Sequence, residues 1–391
     1  MRMDIQEVME EMSRPSPRSL LLASVSLLVA VHLWLWIQRC RNADGPPGPF
    51  PWPVIGNAAQ LGSAPHLYFS RMAQKYGEVF QIKLGSRAVV VLNGDAIRTA
   101  LIKKGADFAG RPDFTSFQFV SNGKSMAFGN YSDWWKAHRK IAQTTGLTSS
   151  TGVFLDKEYV PPTVSDIFGA SQDTLSTALQ WIILVLVRFP DIQKQLREEV
   201  DKVVDSSRLP SIEDQPRLPY VMAFLYEVMR FTSFIPLTIP HSTTTDTAIQ
   251  GYRIPKDTVV FINQWSINHS PAKWVRPEVF DPNRFLDKSG ALDKDQTSSV
   301  LIFSLGKRRC IGEDLSKMQL FLYTTLLIHQ CLFKANPAEP LSLDYLYGLT
   351  LKPKAFNIAV EHRNSMALLD AYVQQHAKAE ADGESTSSEQ N

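Results

Sequence analysis

The chain has 391 residues, 44% of them hydrophobic and 20% charged, enough to bury one large core or two smaller ones. Its 41 basic and 39 acidic residues leave a net charge of +2, too close to balance for nucleic-acid binding, so any basic function is local. Cys40, Cys310 and Cys331 lie far apart, which excludes a disulfide framework or a CxxC metal ribbon and fits a body kept in a reducing compartment.

Residues 1–18 read as an N-terminal tail. Residues 19–37, SLLLASVSLLVAVHLWLWI, form a nearly uninterrupted apolar run. At the helical rise this run reaches about 28 Å, enough to cross a bilayer core. A cleaved signal peptide is the rival reading, but the run is long for one and closes on bulky residues, which favours a transmembrane anchor. Arg2, Arg14 and Arg18 precede it while Arg39 and Arg41 follow, so charge does not orient it. Residues 38–57 form a proline-rich linker. Five prolines between positions 46 and 53 make it a stiff, extended spacer between anchor and body.

The body is expected over 58–376. VFQIKL (79–84) and RAVVVL (87–92), separated by Gly85-Ser86, predict a two-residue hairpin. Helical periodicity runs from Ser165 to Val187, Asp191 to Val204 and Tyr220 to Thr232, and GYRIPKDTVVFIN (251–263) is strand-like. The tail 377–391, rich in Ala, Glu, Ser and Gly, is expected to be disordered, and no internal repeat is visible.

The strongest chemical signal is Phe303-Ser-Leu-Gly306-Lys-Arg308-Arg-Cys310-Ile-Gly312, followed by the helical run EDLSKMQLFLYTTLL. Glycines let the backbone approach a flat cofactor closely. Amide N–H groups and the N-terminus of the following helix favour a thiolate at Cys310. Phe303 is placed to shield the sulfur from water, and Arg308 to meet an anionic group of the cofactor.

At these residues the sequence resembles the cytochrome P-450 superfamily, whose haem loop reads F-x-x-G-x-R-x-C-x-G. The resemblance implies haem b, with Cys310 as its iron ligand, and carries further residues with it. Glu227-Val-Met-Arg230 has the family's E-x-x-R pattern, with both charges on one helix face. With Arg284, in the segment resembling P-E-R-F, they would form a buried triad supporting the haem loop. Asp166-Ile-Phe-Gly169-Ala170-Ser171-Gln-Asp173-Thr174 resembles the central helix over the distal haem face. Asp173 and Thr174 would relay protons there; Ser171 stands where many relatives have glycine. Trp135 and Arg139 match W-x-x-x-R, and with His241, after Thr-Ile-Pro240, would hold haem propionates.

PPGPFPWPVIGN, FAGRPDF, SMAFGNYSDWWK, DIFGASQDTLSTALQW, TIPHSTT, FSLGKRRCIGE and YGLTLKPK look like family 1, most like its subfamily B, over most of residues 17–370. This implies flat hydrophobic substrates, such as polycyclic aromatics, oestrogens and retinoids, lined by Phe117, Gly169, Ala170, Ile235, Leu349 and Thr350. The implied fold is mainly α with a small β-sheet region. The implied partners are the NADPH-cytochrome P-450 reductase, cytochrome b5 as a second candidate, and membrane lipid, without nucleic acid. Lys136, Lys140, Lys307 and Arg309 are candidates for the face that receives the reductase. The implied place is the endoplasmic reticulum membrane, body to the cytosol.

One departure is large. Only 35 residues separate Arg139 from Thr174, where the family places several helices that roof the substrate cavity. Near 144–160 the sequence TTGLTSSTGVFLDKEY is too short and too rich in Thr, Ser and Gly to replace them. A splice variant or an incomplete gene product would explain it. The expected consequences are an exposed apolar face on the central helix and, as an alternative to a working monooxygenase, a weakly active or non-catalytic haem-binding membrane protein.

Overall fold

The computed structural model describes residues 16–41, 44–144, 157–363 and 367–374. The expected tail 377–391 and most of the short connection near 144–160 lie outside these residues.

The apolar run forms helix α1 (Pro17–Arg41), long and apolar enough to cross a membrane. The linker does not hold it clear of the body. Phe50 folds back on the helix, its ring centroid 5.5 Å from that of His32 and 5.3 Å from that of Trp36, and His32 Nε2 donates to Pro51 O at 2.7 Å.

Helix α2 (Pro65–Tyr76) leads into β1 (Val79–Leu84) and β2 (Arg87–Leu92), paired antiparallel from Val79 opposite Leu92 to Leu84 opposite Arg87. Gly85 adopts φ +59°, which is why glycine opens this turn. Then come α3 (Asp133–Thr144), the 29-residue α4 (Val160–Arg188), α5 (Pro190–Val203) and α6 (Pro219–Thr232). α2, α4, α5 and α6 each carry proline in their first turn, where the missing N–H costs nothing and the fixed φ already suits a helix.

The strand-like stretch at 251–263 is two strands, because Pro255 interrupts it and Asp257 turns the chain at φ +60°. The strands here are β3 (His241–Ser242), β4 (Thr247–Ile249), β5 (Tyr252–Ile254) and β6 (Val259–Ile262). β6 adds parallel to β2, and β3 closes the sheet in the order β1-β2-β6-β3. Helix α7 (Gln264–Asn268) follows, and after the Cys310 loop comes α8 (Glu313–Gln330). β7 (Cys331–Ala335) pairs with β10 (Ile358–His362), and β8 (Tyr345–Tyr347) with β9 (Leu351–Pro353).

The main core lies among α4, α6 and α8, with Trp181, Leu184 and Val185 packed among Val221, Phe224, Val228 and Phe321. Only the C-terminal half of α4 takes part. Its N-terminal half is open, with Phe168 71% exposed and Val164 and Ile167 also on the surface. This is the uncovered apolar face expected from the shortened sequence.

Candidate functional site

The loop before α8 brings Cys310 to the surface beside α3. Its N–H donates to Phe303 O at 2.8 Å, which closes the loop. Gly306 has φ +69°, and a Cβ there would lie 1.8 Å from Leu101 O, so packing inside the protein already demands glycine. Gly312 differs: the nearest atoms to a Cβ are Ser316 Oγ at 3.9 Å and Cys310 Sγ at 4.0 Å, so the space beside the sulfur is open. Crowding around the thiol pushes its pKa up, while the Gly312 N–H and the cations of Arg139 and Arg309 pull it down. An open depression of about 620 Å³ adjoins the thiol, lined by Trp135, Arg139, Lys136, Lys307 and Arg309 among others.

Behind this loop lies a buried cationic cluster. Arg308 donates to Ala109 O and Gly129 O, both at 2.8 Å, with its guanidinium 4.0 Å from the Trp135 ring centroid. Trp135 Nε1 donates to Met126 O at 2.8 Å, and Arg139 lies 5.5 Å from the same ring. His241 is buried and its Nδ1 donates to Phe108 O at 2.7 Å. Trp135, Arg139 and His241, expected to hold propionates, and Arg308, expected to meet an anionic group of the cofactor, are therefore brought together.

Arg111, which the sequence reading passed over, joins them. It donates to Ala127 O at 2.9 Å, Pro240 O at 3.0 Å and Ile239 O at 3.2 Å. Burial and neighbouring cations lower Arg308 to about 8 and Arg111 to about 9, and hold His241 well below the usual histidine range. Among the described residues none of the three arginines forms an ion pair with a carboxylate, so the cluster lacks its counter-charge. A cofactor with two carboxylates and an iron that accepts a thiolate fits this set, and haem b has both.

Glu227 and Arg230 are completely buried, joined by bonds of 2.6 and 2.8 Å, and Arg284 Nε donates to Glu227 Oε1 at 3.1 Å. Arg230 also donates to Asn268 O and Pro277 O, tying α6 to the segment leading into the Cys310 loop.

On the distal side, Asp173 and Thr174 sit half-buried on α4. Asp173 accepts from Thr350 at 3.0 Å and is ion-paired with Lys352. Asp166 holds α4 to the 125–127 segment, accepting from Ser125 Oγ, Met126 N and Ala127 N. The residues expected to line a pocket do not form one wall. Gly169, Ala170 and Leu349 are exposed, Phe117 packs on Phe114 and Phe128, and Thr350 is buried against α4. On the expected reductase face Lys136 pairs with Asp133 and Arg309 with Glu313.

The sequence model of one family, described as Cytochrome P450, matches residues 46–161 and 149–360. Cytochrome P450 1B1 of Homo sapiens is 41% identical over 512 aligned positions, covering 90% of this chain and 94% of that protein. Cytochrome P450 1A1 of Sparus aurata is 32% identical, covering 88% and 96%. A solved zebrafish cytochrome P450, determined with abiraterone, superposes at a TM-score of 0.69 with 25% identity, over 77% of this chain and all of that one. An alignment of 512 positions exceeds the 391 residues of this chain, so the relatives carry residues that it lacks, and the two family matches meet between α3 and α4. The haem-supporting residues, the fold and these matches agree: the chain belongs to the cytochrome P450 family of haem-dependent monooxygenases, as a shortened member.

Proposed function

We propose that this chain is a membrane-anchored monooxygenase of flat hydrophobic molecules, polycyclic aromatics, steroids or retinoids. In this reading it draws electrons from NADPH through the membrane reductase on the face carrying Lys136, Lys140, Lys307 and Arg309. The observation that carries the reading is the largely buried arginine cluster, without a carboxylate partner among the described residues, set beside an open thiol. Arg111, Arg139, Arg308, Trp135 and His241 hold the cofactor's anionic edge, and Cys310 ligates its iron. Haem b held in this way supplies dioxygen activation and transfer of one oxygen atom to a C–H or aromatic bond. An anion beside His241 raises its pKa, so that its second nitrogen can donate as well. Phe303 keeps water from the sulfur, the Glu227–Arg230–Arg284 triad holds the loop in place, and Asp173 with Thr174 holds and passes protons on the distal side. The endoplasmic reticulum, with the body facing the cytosol, is the place this reading assigns.

The test is the carbon-monoxide difference spectrum of the reduced protein, which reports both haem and a thiolate ligand. Cys310→Ala and Cys310→His should abolish the thiolate-type band. If Cys331→Ala or Cys40→Ala removed it and Cys310→Ala did not, the assignment would be wrong. A second reading, haem binding without useful turnover, is favoured by the open α4 face, where Phe168 is more than 70% exposed, and by the equally exposed Leu349 in the β8–β9 turn.

A further inference from the structure

Asp173 lies where α4 meets the β8–β9 hairpin, and both of its carboxylate oxygens are engaged. Thr350 Oγ1 donates to Oδ2 at 3.0 Å, and Lys352 Nζ is ion-paired with Oδ1. Thr350, in the bend that leads into β9, and Lys352, within β9, both reach Asp173 on α4, and Leu351 between them is buried. The Thr350 hydroxyl also lies 3.3 Å from Thr177 Oγ1, one turn further along the helix. The intervening residue holds the strand in place on both sides: Trp181 Nε1 of α4 donates to Leu351 O at 2.7 Å, and Leu351 N–H donates to Phe234 O, just beyond α6, at 2.8 Å.

We propose that Thr350 and Lys352 are positioning residues for the acid of the Asp173–Thr174 pair, fixing one rotamer of its carboxylate and keeping it ionised between proton transfers. The proposal rests on the acid–alcohol reading given above. Rotation of the carboxylate breaks at least one of the two contacts, and the Lys352 ammonium is half open to solvent. Lys352 is the largest influence lowering the Asp173 pKa; burial opposes it and Thr350 adds to it. An ion pair this exposed is screened by water, so it adds little to stability and by the same linkage shifts protonation only modestly; its main effect is on geometry.

The experiment uses the full chain labelled with ¹³C at aspartate carboxyls, the Asp173 resonance being the one lost in Asp173→Asn. Lys352→Met and Thr350→Val should each move its titration midpoint upward towards the ordinary aspartate range, and Lys352→Arg should leave it near wild type. In the haem-loaded chain supplied with reductase and NADPH, the acid limb of the pH profile of NADPH consumption should move in the same direction in Lys352→Met. A midpoint unmoved by both substitutions overturns the proposal. So does a profile that responds to Asp173→Asn and ignores Lys352→Met, because the pair is then only structural. A profile indifferent to Asp173→Asn itself removes the acid role of Asp173, and the proposal falls with it, whatever the titration shows.

Discussion

Replacing Arg111 with methionine separates the two things a buried cation can do. Its three backbone bonds support the fold, whereas its charge has no protein partner among the described residues. A charge-assisted contact is worth about 1.5–3 kcal/mol. Arg111→Met should therefore weaken haem retention on dilution by tenfold or more, beyond any loss of haem-free stability, as read by Soret absorbance against thermal melts. The Glu227 carboxylate is the opposite case, fully buried between two arginines. Glu227→Gln leaves both cations poorly compensated and should cost about 3–5 kcal/mol, visible as a large drop in the urea midpoint. At this scale the sequence was legible wherever one residue type must stand at a fixed spacing, as with Cys310, Arg308, Trp135 and Arg139. Arg111 was not, because the carbonyls that hold it come from 127, 239 and 240, and no local pattern announces such a meeting.

Among the elements, the β8–β9 hairpin is pinned by a histidine. His66 on α2 is fully buried, with its Nε2 3.0 Å from the Tyr345 hydroxyl and its ring stacked on Tyr347 at 9°. Burial lowers its pKa to about 4. The unfolded chain binds this proton near 6.5 and the folded one only near 4, so the contribution is complete above 6.5 and lost as the pH falls between them. It is on the order of 3 kcal/mol. The melting temperature should fall across that window, and His66→Gln should flatten the profile; an equally steep profile in the variant would remove His66 as the cause. Of the three helix segments read from periodicity, Ser165–Val187 and Tyr220–Thr232 fall within α4 and α6, and Asp191–Val204 runs one residue past the end of α5. The split was missed because the β-rich runs Tyr252–Ile254 and Val259–Ile262 read as one stretch when the Pro255-Lys256-Asp257 turn signal between them is given no weight.

For the whole molecule the decisive feature is what α4 leaves uncovered. In the proposed reading, a substrate beside Gly169 and Ala170 would meet solvent where the relatives' additional residues are absent. Leaving about 100 Å² of a flat aromatic ligand unburied costs on the order of 2.5 kcal/mol, over tenfold in affinity. Purified chain with reductase, NADPH and a fluorogenic aromatic ether should turn over far more slowly than a version carrying a relative's missing segment. Equal rates would show the segment to be dispensable. The shortening was legible because the motifs on either side are intact. The way the remaining parts close up was not, since it depends on tertiary contacts such as Asp166 with the 125–127 segment and Trp134 with Tyr159, their ring centroids 3.9 Å apart.

The fold-back of Phe50 onto His32 and Trp36 changes what the stretch between helix and body does. A leash sets distance by its length; a mount sets it by a contact. Here the chain leaves α1 at Arg41 and returns to the C-terminal half of that helix, so extra residues inserted before Phe50 would enlarge a side loop without raising the body. In the proposed reading, with α1 in the bilayer, a few aromatic rings would set the height and heading of the body, and a membrane-bound partner would meet it in two dimensions with its approach already aimed.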